Sequence, residues 1–169
     1  MMSKPVEADA SPVTEPRPFR RPVQFLAFGF GSGLSPWAPG TAGTIAAVPL
    51  YWLIADWGLF WYSAVVLLAA LLGIWICGAA SRELKVHDHP GIVWDEFVGY
   101  WITLWAVPVD WVWMLAGFVV FRILDIAKPW PIGHLDKKVG GGFGIMIDDV
   151  IAGVMACATL HLALWFLAP

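Results

Sequence analysis

The sequence is poor in charge and in cysteine. Only 14% of its 169 residues are Asp, Glu, Lys or Arg, compared with roughly 25% in a typical soluble domain. This scarcity excludes a disordered chain, a basic nucleic-acid-binding protein and an acidic solvating tail. The two cysteines, Cys77 and Cys157, lie in apolar segments without the spacing of a metal or redox site. We interpret both as small hydrophobic residues, which excludes a disulfide scaffold.

Apolar side chains take the place of the missing charge. Hydrophobic residues make up 59% of the chain and include 12 Trp and 10 Phe. A soluble monomer of this size could not hide so many apolar side chains, because small domains bury the smallest fraction of their surface. The composition therefore predicts a small all-α membrane protein with about four membrane-embedded helical segments.

The distribution of charge and proline divides the chain into a leader and one domain. Residues 1–21 contain four prolines and seven charged residues, which predicts a disordered or surface-lying leader. Residues 22–169 are predicted to form a single helical membrane-embedded domain. Residues 57–81 carry no Asp, Glu, Lys, Arg or His and exceed the ~20 residues that cross the hydrocarbon core. Further helices are predicted over residues 44–55 and 150–169.

The apolar segment 97–121 has two possible paths, because Pro108 lies at its middle. It could be one straight span, or two half-length helices that fold back at the proline. We favour the re-entrant or interfacial hairpin, since it returns the basic segments on either side to the same face of the membrane. The positive-inside rule then places these segments, with the leader, in the cytoplasm.

Acidic residues in the domain are clustered rather than scattered. Ten follow the leader, and seven of them fall in four groups: Asp88, Asp95 with Glu96, Asp125 with Asp136, and Asp148 with Asp149. Acidic residues at membrane depth are costly and usually functional. The alternative for a single aspartate is a plain helix N-cap.

Two of these groups share the pattern Asp-x-x-x-Gly. It occurs from Asp95 to Gly99 and from Asp149 to Gly153, and we expect each aspartate to open an apolar helix. Residues four apart lie on one helix face, and a glycine there lets a second helix approach closely. The two acidic helix starts would then meet. Converging carboxylates repel unless they are protonated or share a cation, and Mg²⁺ is the natural choice.

Further segments offer groups that could bind phosphate. Arg122, Asp125 and Lys128 are spaced by three and lie near one helix face, which suits a phosphate oxygen beside a metal. The alternative is a solvated charged face. The glycine run that includes Gly141 and Gly142 could direct backbone N–H groups at an anion or serve as a hinge. Thr41 could bind phosphate or cap the following helix.

With these motifs assembled, the chain resembles the phosphatidylglycerophosphatase A family of bacterial lipid phosphatases. The matching stretches cover most of residues 23–153: Phe28-Gly-Phe-Gly-Ser-Gly33, Pro39-Gly-Thr-Ala-Gly-Thr44, Ile92-Val-Trp-Asp-Glu-Phe-Val-Gly99, Phe121-Arg-Ile-Leu-Asp-Ile-Ala-Lys-Pro-Trp-Pro-Ile132 and Gly141-Gly-Phe-Gly-Ile-Met-Ile-Asp-Asp-Val-Ile-Ala-Gly153. The resemblance implies a multi-pass enzyme of the bacterial cytoplasmic membrane that uses Mg²⁺ to convert phosphatidylglycerophosphate into phosphatidylglycerol and phosphate.

The resemblance also implies the functional positions. The family's acidic motifs correspond here to metal and catalytic residues at Asp95, Glu96, Asp125, Asp148 and Asp149. From both lines of reasoning we expect Asp95, Asp125 and Asp149 to hold Mg²⁺, with Glu96 and Asp148 as ligands or close supports. We expect Arg122 and Lys128 to stabilise the phosphoryl group.

Other functions remain open at this point. A phosphatase of another membrane lipid phosphate would use much the same residues. A small cation transporter would line its path with carboxylates and release no phosphate. A non-catalytic assembly factor would tolerate removal of the acidic groups.

Overall fold

The computed structural model describes residues 14–130, 132–136 and 139–167. This part of the chain is helical, with no β-strand. Its α-helices are α1 (Pro22–Ala27), α2 (Pro39–Ile54), α3 (Leu59–Leu84), α4 (Trp94–Thr103), α5 (Trp111–Ala127), α6 (Ile132–Asp136) and α7 (Gly141–Leu167). Short 3₁₀ segments cover Pro18–Arg20 and Gly29–Leu34. The predicted all-α class is confirmed.

Two of these helices are long and apolar enough to cross a membrane. They are α3, with 26 residues, and α7, with 27. Within the most apolar 18 residues of each helix, only 39% in α3 and 22% in α7 are buried within the protein. Most of their apolar side chains therefore lie on the surface, which is unusual for a soluble monomer. The expected total of four membrane-embedded segments is not established.

The segment around Pro108 is broken as the hairpin interpretation predicts. Helix α4 ends at Thr103 and α5 begins at Trp111. Asp110 caps α5, because its Oδ1 accepts a hydrogen bond from the backbone N–H of Val112 at 2.8 Å. The second helix is longer than the predicted half of the segment, since it continues to Ala127.

Two other helices begin earlier in the chain than the sequence predicts. Helix α2 begins at Pro39 rather than residue 44, because proline suits the first turn of a helix. Helix α7 begins at Gly141, so Asp149 is its ninth residue and does not open it. The early start reflects close packing: a Cβ at Gly142 would overlap the backbone of α3 at Ile74 and Gly78.

Helix α4 lies at the centre of the bundle, in contact with α2, α3, α5 and α7. Its Trp101 donates a hydrogen bond from Nε1 to the carbonyl of Ala47 on α2 at 3.1 Å. The hydroxyl of Tyr62 on α3 donates to the Trp101 carbonyl at 2.6 Å. These buried bonds satisfy polar groups inside an apolar core and fix α4 against both neighbours.

The chain reverses at each long connection, so the cations collect at one end of the bundle. Helices α3 and α5 end there, and α2, α4 and α7 begin there. Among the described residues, every Lys and Arg lies in or beside the segments at this end, and the opposite connections carry Asp56 and Asp110. Residues 1–13 of the predicted leader, and Lys137 and Lys138, lie outside the described residues. The leader and domain boundaries remain predictions.

Candidate active site

The site is built on the crossing of α4 and α7. A Cβ added at Gly99 would lie 2.9 Å from the Asp149 carbonyl, and one at Gly153 would lie 2.5 Å from the Gly99 carbonyl. The two glycines therefore let the helix backbones touch, as the Asp-x-x-x-Gly pattern predicts. One turn before these glycines, Asp95 and Asp149 lie on the same faces. The crossing thus brings their carboxylates together.

Three carboxylates meet at this crossing. Asp95, Glu96 and Asp149 each offer an oxygen, and these atoms lie within 4.8 Å of one another. Asp95 is 9% exposed and Asp149 is 3% exposed. Asp95 Oδ1 and Glu96 Oε2 are buried and have no hydrogen-bond partner among the described residues. Buried polar atoms are normally satisfied, so these oxygens are suited to bind a ligand.

The electrostatics of the two acidic residues on α4 agree with this interpretation. Burial away from water raises the pKa of Asp95, and the neighbouring Glu96 carboxylate raises it further. Burial likewise raises the pKa of Glu96, with a further contribution from Asp149. Both effects arise because negative charge is gathered where water cannot solvate it. A cation placed among the carboxylates would relieve both.

Helix α5 contributes Arg122 and Asp125 to the same site. Arg122 NH1 lies 2.6 Å from Asp125 Oδ2 and 3.7 Å from Glu96 Oε1. The Arg122 and Asp125 side chains are only 13% and 14% exposed. Asp125 is also close enough to act electrostatically on Glu96 and Asp149. The alternative of a solvated charged face does not hold, because these side chains form a partly buried ion-pair network.

Lys128 joins the site from the end of α5. Its Nζ donates to Asp148 Oδ2 at 2.6 Å, and Asp148 is 7% exposed. Lys128 is the C-terminal cap of α5 and has a left-handed backbone, with φ of 42°, which turns the chain back towards α7. All six residues predicted as catalytic therefore take part in two adjoining networks. The side chain of Asp136 is outside the described part of the chain.

The first turn of α2 closes one side of the site. A Cβ at Gly40 would overlap Glu96 Oε1 and lie 3.1 Å from an Arg122 nitrogen. Thr41 follows directly and is half-buried. Thr44 Oγ1 donates to the Gly40 carbonyl at 2.9 Å, so it bonds within the helix rather than capping it. Sequence reasoning missed Gly40. Its position after Pro39, at a helix start, was the available signal.

The chain matches known proteins over nearly its whole length. Residues 25–164 match the family model described as phosphatidylglycerophosphatase A. Two proteins named phosphatidylglycerophosphatase A are similar to it. The one from Escherichia coli (strain K12) is 53% identical over 143 residues, which cover 83% of this chain and 82% of that protein. The one from Haemophilus influenzae (strain Rd) is 46% identical over 154 residues, or 85% and 93% of the two chains.

The chain belongs to the phosphatidylglycerophosphatase A family. As a member of that family it is an enzyme, a phosphatase. A protein from Bacteroides thetaiotaomicron named putative phosphatidylinositol-3-phosphatase is also similar, at 41% identity over 160 residues, which cover 88% of this chain and 97% of that protein. No solved structure matches the chain.

In this member of the phosphatidylglycerophosphatase A family, each of the two glycines predicted to bind phosphate contacts another part of the protein. Gly141 has a positive φ of 71° and donates its backbone N–H to His87 Nε2 at 3.2 Å. Gly142 packs against α3 at Gly78. Helix packing therefore accounts for Gly142 and the positive φ accounts for Gly141, and their role as phosphate ligands stays a prediction.

The donor set of the site fits magnesium. Five carboxyl groups and two basic side chains meet here, a formal excess of three negative charges when all are ionised. All of the candidate ligand atoms are carboxylate oxygens, the hard donors that Mg²⁺ prefers, and Mg²⁺ sites commonly combine a few carboxylates with substrate phosphate. Such an ion would be coordinated by the orphaned oxygens of Asp95 and Glu96 and would offset the negative charge there.

Proposed function

We propose that this family member is a Mg²⁺-dependent phosphatase that removes the terminal phosphate of phosphatidylglycerophosphate and yields phosphatidylglycerol. The family supports the substrate, since two similar proteins bear the name phosphatidylglycerophosphatase A. The observation that carries the metal is the cluster of Asp95, Glu96 and Asp149 oxygens within 4.8 Å, two of them from residues with orphaned buried oxygens.

In this proposal Asp95, Glu96 and Asp149 hold the ion, with Asp125 beside Asp149. When bound, Mg²⁺ offsets the charge of the phosphate and orients the attacking water. Arg122 is held between Asp125 and Glu96, so its guanidinium keeps the carboxylates in place and faces the first turn of α2. The phosphate would lie beside the first turn of α2, at the edge of the carboxylate cluster and within reach of Thr41.

The reaction replaces one P–O bond with another. Water attacks phosphorus in line, the bond to the glycerol oxygen breaks, and that oxygen takes a proton from the solvent and leaves as an alcohol. We assign the acceptance of the water proton to the Glu96 carboxylate oxygen that does not bind the ion, because the alternative base, Asp148, is paired with Lys128 at 2.6 Å. Lys128 and Arg122 stabilise the charge on the transferring phosphoryl group. Gly141 and Gly142 would bind the phosphate through backbone N–H groups.

We further propose that the enzyme spans the bacterial inner membrane several times with its site at the cytoplasmic face. The support is the gathering of Lys and Arg at the end of the bundle that carries the site, which the positive-inside rule assigns to the cytoplasm. The apolar surfaces of α3 and α7 supply the membrane-spanning length.

The test is phosphate release by the purified full chain, with Mg²⁺ or with a chelator. The substrates are phosphatidylglycerophosphate, phosphatidic acid and phosphatidylinositol 3-phosphate. We expect Mg²⁺-dependent release from the first, and Asp149→Asn should reduce turnover at least a hundredfold. Asp110→Asn is the matched control, because asparagine caps a helix as well as aspartate.

Each alternative has its own outcome. Faster release from another lipid would assign that head group instead. Release that survives the chelator would exclude the metal. Ion flux into vesicles without phosphate release would indicate a transporter and contradict the proposal.

A further inference from the structure

An apolar cleft separates α2 from α5. The two helices diverge over α4, and the space between them has a volume of about 440 Å³. Tyr100 and Met114, which are almost fully buried, form the floor. The Tyr100 hydroxyl donates to the Met114 carbonyl at 3.1 Å, so the ring presents no polar atom to the cleft. The walls are side chains of α2 and α5, among them Ile45, Val48, Leu115 and Phe118.

The cleft begins one helical turn from the site on three separate helices. On α2, Ile45 follows Thr41 by four residues. On α4, Tyr100 follows Glu96 by four. On α5, Phe118 precedes Arg122 by four. Residues four apart lie on one face of a helix, so the cleft and the site lie on the same three helix faces, one turn apart.

Two tryptophans mark the far end of the cleft. Trp52 and Trp111 line it there, and Trp52 Nε1 donates to Met114 Sδ at 2.8 Å across the gap between α2 and α5. At about 1.5 Å per residue, Trp52 lies about 18 Å from Gly40 along α2. One leaflet, half of the ~30 Å hydrocarbon core, has a similar depth of about 15 Å.

We propose that this cleft holds one acyl chain of the lipid phosphate substrate while its phosphate occupies the carboxylate site. The proposal rests on the proposed function, since it needs a diacyl substrate. An acyl chain suits a lining without polar groups, a start beside the phosphate and a length of one leaflet. The tail is already in hydrocarbon before it binds, so the cleft acts by packing and orientation.

The kinetic test uses substitutions that place a bulky side chain in the cleft from α2 or from α5. The variants are Leu115→Trp on α5 and Ile45→Trp on α2, with Leu68→Trp on α3 as the matched control. Leu115 and Leu68 are equally exposed, at 55% and 58%. The substrates are dipalmitoyl phosphatidylglycerophosphate and its fully deacylated, water-soluble counterpart.

We expect each cleft variant to lower kcat/KM for the dipalmitoyl substrate about tenfold through lost orientation. The deacylated substrate should be hydrolysed as by the wild type, and Leu68→Trp should change neither. Equal losses for both substrates, or no loss for the dipalmitoyl lipid, would overturn the proposal.

A second measurement does not depend on turnover or on the variants. Dipalmitoyl phosphatidylglycerophosphate with a diazirine on one acyl chain is photo-crosslinked to the wild-type chain, and the labelled peptides are identified by mass spectrometry. Labelling of α2 and α5 around Val48 and Leu115 that unlabelled substrate displaces would support the cleft. Undisplaced labelling spread equally over α3 would refute it. If the wild type releases no phosphate, the proposed function fails separately, and the crosslinks still locate the acyl chain.

Discussion

Replacement of Gly153 by alanine tests how closely the two acidic helices must approach. The new Cβ would lie 2.5 Å from the Gly99 carbonyl oxygen, whereas ordinary contact starts at 3.4 Å, so the helices must separate by about 0.9 Å. The obstacle is main chain and cannot rotate away. Asp95 and Asp149 lie one turn from this point, and their oxygens would move apart by a similar distance. A misplacement of about 1 Å can cost roughly a hundredfold in rate.

The assay is kcat for phosphate release, with circular dichroism and gel filtration to verify folding. Alanine is a better helix former than glycine by about 1 kcal/mol, so a weaker helix cannot explain the loss. Gly117→Ala is the control, because its Cβ would meet the end of the Leu104 side chain at 2.8 Å, which can rotate. We expect a hundredfold loss for Gly153→Ala and less than threefold for Gly117→Ala. A Gly153→Ala enzyme with wild-type kcat would refute this account of the crossing.

Two further substitutions distinguish a loss of catalytic rate from a loss of stability. Lys128→Met removes the donor 2.6 Å from Asp148 and should lower kcat roughly a hundredfold, as loss of one transition-state donor does. Lys128→Arg should recover part of the rate. An unchanged kcat in Lys128→Met would exclude the lysine from the mechanism. Tyr62→Phe removes a buried hydrogen bond of 2.6 Å to α4 and should cost about 1 kcal/mol, or about 2–4 °C in Tm. The kcat of Tyr62→Phe should stay within twofold of the wild-type value. A large loss of kcat would indicate that Tyr62 contributes to catalysis.

Much of the site could be predicted from local pattern. Pro108 predicted the break between α4 and α5 and lies in the connection between them, where a residue that cannot continue a helix is tolerated. The repeated Asp-x-x-x-Gly predicted a close helix crossing, since a four-residue spacing sets one face of a helix whatever the rest of the chain does. The Arg122–Asp125 pair follows from the same rule.

The remainder depends on contacts between residues far apart in sequence. Gly141, Gly142 and Gly144 are poor helix formers, so local propensity alone would start α7 later in the chain. Packing of Gly142 against Gly78 overrides that propensity, and no pattern near residue 142 reveals its partner on α3. The closeness of Gly40 to Glu96 arises in the same way. The apolar cleft is a further case, because it exists only where α2 and α5 diverge over α4.

The central claim is that carboxylates from α4 and α7 together hold a divalent cation, and metal binding tests it without any assay of turnover. Mn²⁺ replaces Mg²⁺ as the probe, and the free ion is followed by electron paramagnetic resonance as purified chain is added. We predict saturable binding to the wild type, displaced by excess Mg²⁺. Binding should weaken at least tenfold in both Asp95→Asn and Asp149→Asn but not in Asp110→Asn. Equal Mn²⁺ affinity in the wild type and in both site variants, or no binding to the wild type, would contradict the account.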